Sequence, residues 1–384
     1  MDFPQDKFEL LRNLYHHFSI EDCLTIKKIE NTTKHDIKAL EYFIQQKFIL
    51  LNIEDYKSFI HFGLTSQDIN TSAIMLSIKE SLQNIIIPEI RKIISYLDTL
   101  SSDWNTINML SRTHGQPATP TTLGKELQIF VYRLNNEIIN LTNSVFYTKF
   151  GGSVGNFSAH LAAYPNINWV DFADKLIDSL GLVRHQYTTQ ISNYDEISYI
   201  LDSIKRINCI ILDLDQDIWL YISNSYFTQK FNPDEVGSST MPNKVNPINF
   251  ENSEGNLIIA NSLLECLSRK LPVSRLQRDL TDSTILRNLG TIFAYSLISY
   301  SSTLKGLHKL QLNENTIKND LENNYLIIAE ALQTILRKYS IDNAYEIFKN
   351  FTRNTTIINQ QTITQFINQL DVKENIKDEL KSIL

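Results

Sequence analysis

Four short strings of this 384-residue chain carry side chains that could do chemistry. The first, Gly237-Ser238-Ser239-Thr240-Met241-Pro242-Asn243-Lys244-Val245-Asn246-Pro247, sets two serines, a cation and an amide between prolines. It precedes an apolar-periodic segment from Phe250 to Leu267. Such a loop can aim backbone N–H groups and the Lys244 ammonium at a carboxylate. A serine hydroxyl is a weak base unless positive charge and donors stabilise its alkoxide, which Lys244 and the loop amides can do. A Ser-Ser pair also reads as a solvated turn with capping hydroxyls. In the second string, Ser111-Arg112-Thr113-His114-Gly115-Gln116-Pro117-Ala118-Thr119-Pro120, His114 can give or take a proton near neutral pH. A buried, hydrogen-bonded structural histidine is the competing reading.

The third string runs from Pro272 through Ser274, Arg275, Arg278 and Asp279 to Thr281, Ser283, Thr284 and Arg287. Three arginines among hydroxyls form either a cradle for a phosphate or carboxylate or a surface salt-bridge network. In the fourth, Thr33-Lys34-His35-Asp36, the carboxylate either orients the ring or caps a helix. His16, His17, His61, His160, His185 and His308 have no such context and read as structural. No HExxH, CxxC or His/carboxylate spacing argues for a metal, and neither a P-loop nor a dinucleotide fingerprint occurs.

The elements that must position these strings read as long helices. Ile197, Ile200, Leu201, Ile204, Ile207, Ile211, Leu214 and Ile218 recur at spacings of three and four, so the pattern predicts one helix from about Asp195 to Phe227. A helix so long needs a bundle, and other subunits, to cover its stripe. The same pattern predicts helices over Asp68–Leu100 with a break at Pro88, over Thr122–Thr148, and over Thr281–Leu310 with Leu286, Leu289, Phe293, Leu297 and Leu304 inward. No strand-period alternation of useful length is visible. Glycine is scarce, 11 residues in all, below the usual share of about 7%, and this too favours helices. Gly63, Gly115, Gly151, Gly152, Gly155 and Gly237 fall in short polar loops between the long segments, where a site is expected.

The net charge of −7 and the lack of a basic cluster exclude an ordinary nucleic-acid binder. Three widely spaced cysteines fit neither a disulfide framework nor a zinc knuckle. There is no signal-peptide pattern and no apolar run long enough to span a bilayer, so the expectation is a cytoplasmic protein without membrane contact.

Taken together the strings resemble the fumarase/aspartase superfamily, whose signature is a Gly-Ser-Ser-x-Met-Pro-x-Lys-x-Asn-Pro loop. The finer resemblance is to adenylosuccinate lyases of the bacterial type. It is carried by Ser111–Pro120, His61–Asn70, Lys270–Thr284 and Lys244–Asn256, in the family's order, and runs from about residue 21 to the end. It implies an all-α fold whose long central helix bundle forms a tetrameric core. The expected division is a small N-terminal helical domain over 1–62, a central catalytic bundle over 63–310 and a small C-terminal helical domain over 311–384. The resemblance further implies a homotetramer whose active sites are each assembled from three subunits. The reaction it implies is β-elimination of fumarate from succinylamino purine nucleotides, with neither cofactor nor metal.

By the same resemblance, Ser238 is the general base and His114 the general acid to the leaving nitrogen. Ser239, Lys244 and Asn246 of the signature loop hold substrate. His35, Asp36, Thr65, Ser66, Gln190, Asn252, Arg278, Ser283, Thr284 and Arg287 match substrate-binding positions. Three departures stand out. An Asp-Gly-Arg-Tyr segment that contacts the nucleotide phosphate in the family does not occur here, Asn243 replaces a His, and Lys34 replaces an Asn. The readings that compete are a superfamily lyase acting on argininosuccinate or aspartate, and an inactive relict that keeps only the helical tetramer.

Overall fold

The structure is a computed structural model, and it describes residues 3–230, 241, 244–354 and 359–383. The longest helix, Asp195–Ser223, has 29 residues and a length of about 43 Å at 1.5 Å per residue. All eight aliphatic residues that define its stripe are buried. Leu123–Thr142, capped by the Thr122 hydroxyl on the Lys125 amide, buries Leu127, Phe130, Val131, Leu134, Ile138 and Leu141 as the spacing requires. None of the described helices is long and apolar enough to cross a membrane.

Two helices differ from their sequence reading. The segment expected to kink at Pro88 is an α-helix over Ser66–Ser81, a π-helical turn over Leu82–Ile86, and a second α-helix over Ile87–Asp103. Proline in a helix interior clashes with the carbonyl four residues back. The widened turn comes ahead of Pro88, which stands in the opening turn of the new helix, where a missing N–H costs little. The second case is Thr281–Leu310, which is two helices, Thr281–Leu286 and Leu289–Lys309. Phe293, Leu297 and Leu304, expected inward, are only half-buried, while Ser296, Ser299, Thr303 and Gly306 are fully buried.

Leu286 and Leu289 are buried as expected, and close packing explains why small residues share the inward face with Ile292, Tyr300 and Leu307. A Cβ on Gly306 would lie 2.7 Å from the Phe250 ring of the helix Ile248–Lys270. The hydroxyls have partners inside. Asn208 Nδ2 donates to Ser296 Oγ at 3.1 Å, Tyr300 OH donates to Asn208 Oδ1 at 2.5 Å, and Thr303 Oγ1 donates to Asp215 Oδ1 at 2.9 Å. Ser253 and Thr303 share a hydrogen bond of 2.8 Å. Small hydroxylated residues let helices approach closely while satisfying each buried polar atom, which a leucine in the same place would prevent.

The chain divides into two compact units. One contains Met1–Leu82, Ser144–Tyr199 and Ser268–Leu286; the other contains Gln83–Asn143, Ile200–Leu267 and Arg287–Leu384. Within the second unit, the C-terminal helices close around their own core of Leu332, Leu336, Ala344, Phe348, Ile363, Ile367, Ile376 and Leu380. The strands are few and short. The longest pair, Asn108–Thr113 and Gln116–Thr122, forms an antiparallel hairpin.

Burial pushes the Asp215 carboxyl up to about 8, against hydrogen bonds from Ser253 and Thr303 that favour its charged form. Because the folded value lies above the unfolded one, this group's contribution is most favourable below pH 4 and is lost as pH rises through about 8. Asp215→Asn keeps an acceptor for Thr303 without the ionisation. In thermal melts the variant is expected to be the more stable near neutrality. Its advantage should widen from pH 4 to 8 and level off above. A pH-independent difference would place the carboxyl in a more polar setting.

Candidate active-site residues in the two units

The first unit contains His35, Asp36, Thr65, Ser66, Gln190, Arg278, Ser283 and Thr284, with Thr65 and Ser66 at the start of the helix Ser66–Ser81. Thr65 caps it, and its N–H donates to Asp68 Oδ2 at 2.9 Å, the reciprocal half of a capping box. Asp68 is itself the centre of a buried cluster. It pairs with Lys149 at 2.6 Å, both side chains being fully enclosed, and accepts the N–H groups of Gly151 and Gly152 at 2.9 and 3.1 Å. Desolvation pulls the Lys149 ammonium below its ordinary value, and Asp68 acts in the opposite direction. The glycines around this cluster are forced. Gly63 has φ +67 and a Cβ there would touch the His160 ring at 2.8 Å, while Gly155, at φ +79, lies against the Thr188 carbonyl.

His35 and Asp36 stand beside this helix. His35 caps the helix Asp36–Leu50 through Nδ1, which accepts from the Lys38 amide at 3.3 Å, and Asp36 Oδ2 accepts from Asn70 at 3.4 Å. Both are exposed. Lys34 ends the preceding helix at φ 55, in the left-handed region where asparagine is favoured over lysine. The Asn in the family pattern at this place therefore has a backbone rationale.

Gln190 accepts from Arg278 Nη1 at 3.0 Å, and its N–H donates to the Gln277 carbonyl at 3.2 Å. Arg278 also lies within electrostatic reach of Lys149. Nearby, the buried Tyr194 hydroxyl donates to Asp282 Oδ2 at 2.9 Å and contacts Thr71, while burial raises the phenol well above its usual range. Ser283 and Thr284 follow Asp282 in the short helix Thr281–Leu286, the first half-buried and the second exposed. Arg278 and the Ser283 and Thr284 hydroxyls give this stretch groups able to bind an anion.

In the second unit, His114 and Gly115 are the two corner residues of the hairpin, between the paired Thr113 and Gln116. Their φ values, 54 and 73, are those of a type I′ turn, whose twist matches that of the flanking strands. The imidazole is thus exposed at a hairpin tip, which the sequence reading placed simply ahead of a helix. Pro117 and Pro120 masked the strand; a two-stranded ribbon tolerates them because its outer N–H groups face away from the ladder. Lys244 is exposed and Asn246 half-buried just before the helix Ile248–Lys270. Gln229 Nε2 donates to the Val245 carbonyl between them at 3.2 Å. Asn252 donates to Ser302 Oγ at 3.1 Å and accepts from Asn256 at 3.2 Å. Arg287 is exposed in the break between the two helices. Ser238 and Ser239 lie outside the described residues, as does Asn243.

Sequence reasoning missed Asp68, Lys149, Tyr194 and Asp282, and it set aside His61. That ring is half-buried, 3.9 Å from Glu41 and within electrostatic reach of His35, and desolvation lowers its pKa. Asp68 was detectable, since it stands three residues after Thr65 at capping-box spacing. Tyr194 and Asp282 are 88 residues apart and left no local signal.

Comparison with known proteins fits this fold. A family model described as "Lyase" matches residues 4–260, and one described as "Adenylosuccinate lyase C-terminal" matches 274–384. The adenylosuccinate lyase of Dictyostelium discoideum is 51% identical, covering 99% of this chain and 83% of that protein. The enzyme of that name from Escherichia coli K12 is 44% identical over 99% of this chain and 84% of its own length. Among solved structures, a fumarate lyase from Mesorhizobium sp. BNC1 superposes with a TM-score of 0.77 at 17% identity, covering 99% of this chain and 86% of that one. A class II fumarase from Schistosoma mansoni gives 0.65 at 19%, covering 84% and 70%. Fold and family model define a lyase of the fumarase/aspartase superfamily. Within that superfamily, the chain belongs to the adenylosuccinate lyase family.

Removing one partner of a buried ion pair strands the other in a low dielectric. Lys149→Met is therefore expected to lower stability by about 3–5 kcal/mol, read from the midpoint of urea unfolding. A loss below about 1 kcal/mol would mean that the Gly151 and Gly152 amides alone hold the Asp68 carboxylate.

Proposed function

We propose that this protein eliminates fumarate from adenylosuccinate to give AMP, and from the succinylated aminoimidazole carboxamide ribotide of purine biosynthesis. Membership of the adenylosuccinate lyase family along nearly the whole chain carries this reading. Ser238 takes the proton from the carbon beside a carboxylate, the electron pair forms the fumarate double bond, and the C–N bond breaks. His114 delivers a proton to the departing nitrogen. The reaction is redox-neutral, so two acid–base groups and fixed donors suffice. Charge builds on the carboxylate beside the carbanion, where Ser239, Lys244 and Asn246 supply the stabilisation. His35, Asp36, Thr65, Ser66, Gln190, Asn252, Arg278, Ser283, Thr284 and Arg287 bind the remainder of the nucleotide.

The working form in this proposal is a cytoplasmic homotetramer with shared sites. Large apolar side chains exposed on the long helices support it: Tyr132 and Ile139 on Leu123–Thr142, Leu220 on Asp195–Ser223, and Ile258 and Ile259 on Ile248–Lys270. A second copy of the same helices offers a surface against which these side chains can be buried. Light scattering at assay concentration should report four chains per particle; a folded, active monomer would overturn this assembly.

Purified protein mixed with adenylosuccinate should change the purine absorbance as fumarate is released. His114→Ala should lower kcat by roughly 10²–10⁴-fold with folding intact. Ser238→Ala should abolish exchange of solvent deuterium into substrate while substrate still binds. Near wild-type turnover of the first variant, or continued exchange in the second, would remove that residue from its role.

A further inference from the structure

The hairpin that carries His114 is short, and its tip alone cannot fix where the imidazole points. Its flanks are held from outside. On the first strand, two residues from His114, Arg112 Nη2 donates to Asp320 Oδ2 at 2.6 Å. The same carboxylate oxygen accepts a short hydrogen bond from the Tyr226 hydroxyl. Its other oxygen accepts from Asn324 Nδ2 at 3.2 Å. On the second strand, the Thr119 hydroxyl donates to Glu330. Asp320 belongs to the helix Glu314–Glu322 and Glu330 to the helix Ala329–Lys338. Burial and the Asp320 charge push the Tyr226 phenol up, and the Asp320 hydrogen bond raises the Arg112 guanidinium. Tyr226 is therefore a neutral donor and Arg112 a permanent cation, both directed at one acceptor.

From this geometry we infer that Asp320 is a positioning residue for His114, acting through Arg112 to hold the hairpin tip at its working angle. The inference rests on the proposed role of His114 as proton donor. A carboxylate that collects a guanidinium, a phenol and an amide has its rotamer determined from three directions. Its hold on Arg112 fixes the strand one turn-width from the tip. Without it the hairpin remains paired by its own ladder but pivots at its base. A displacement of about 1 Å at a proton-transfer group is enough to cost on the order of 10²-fold in rate.

The test is a double-mutant cycle on the full-length protein with adenylosuccinate as substrate. Asp320→Ala is expected to lower kcat by roughly 10–100-fold with KM within a factor of about three, and Asp320→Glu to recover much of the loss. In a His114→Ala background the same Asp320→Ala change should alter kcat by less than about twofold, because the group it positions is gone. Equal losses in both backgrounds would overturn the inference and leave Asp320 a purely structural residue. So would wild-type kcat in Asp320→Ala. If Asp320→Ala yields no folded protein, Arg112→Lys replaces it in the cycle, since an ammonium keeps the charge but cannot form the same fork. Should His114→Ala itself turn over normally, the proton-donor reading fails and the positioning role fails with it. A defective His114→Ala beside an unaffected Asp320→Ala rejects only the positioning role.

Discussion

A helix of 29 residues that buries one whole face needs neighbours that come close along its length. Here that condition is met by buried aliphatics such as Ile292, Leu307, Leu257 and Leu264 together with small hydroxylated residues set among them. Ser296, Ser299, Thr303 and Gly306 bring Leu289–Lys309 close to its partners, and Asn208 and Asp215 on the long helix hydrogen-bond to that stripe. Such a seam is demanding, because each polar atom inside it must keep its partner. It also fixes register in a way that sliding aliphatic ridges do not. The hairpin and the segment before Ile248 start from a framework with little freedom to shift.

In each unit the groups proposed for chemistry stand on turns and caps. Thr65 and His35 cap helices, His114 occupies a hairpin corner, and Asn246 immediately precedes a helix. These are the places where backbone geometry leaves polar groups unspent within the helix. The buried Asp68–Lys149 pair ties the Thr65 cap to the Gly151–Gly152 loop, so that two stretches some 80 residues apart act as one rigid piece. Either partner alone would leave an uncompensated buried charge, so the two residues are kept together.

Period and composition were enough to read the helical class and the inward stripe of Asp195–Ser223, because eight aliphatics at regular spacing admit no other fold of that segment. Along Leu289–Lys309 the expectation holds for Leu289 but not for Phe293, Leu297 and Leu304, because serine and threonine, which hydropathy counts as solvent-facing, share the inward face with Ile292, Tyr300 and Leu307. The hairpin was missed because prolines at 117 and 120 argue against a strand unless the ribbon has free edges, and edges are a tertiary property. Within the candidate site, strings with local context such as Thr65–Asp68 and Thr113–Gly115 could be singled out from the chain alone. Lys149, Tyr194 and Asp282 could not, since each becomes informative only when a residue far along the chain folds against it.

The corner conformation at His114 and the proton-donor role proposed for it together narrow the choice of amino acid there. The φ of 54 admits glycine readily and, among side-chain-bearing residues, favours Asn, Asp and His. A group that exchanges protons near neutrality without the help of a strongly perturbing environment is, among the twenty, histidine. The intersection of these two sets has one member. A drift to Asn or Gly at this position would leave the ribbon well formed and its surface nearly unaltered, so selection on folding alone would not register the change.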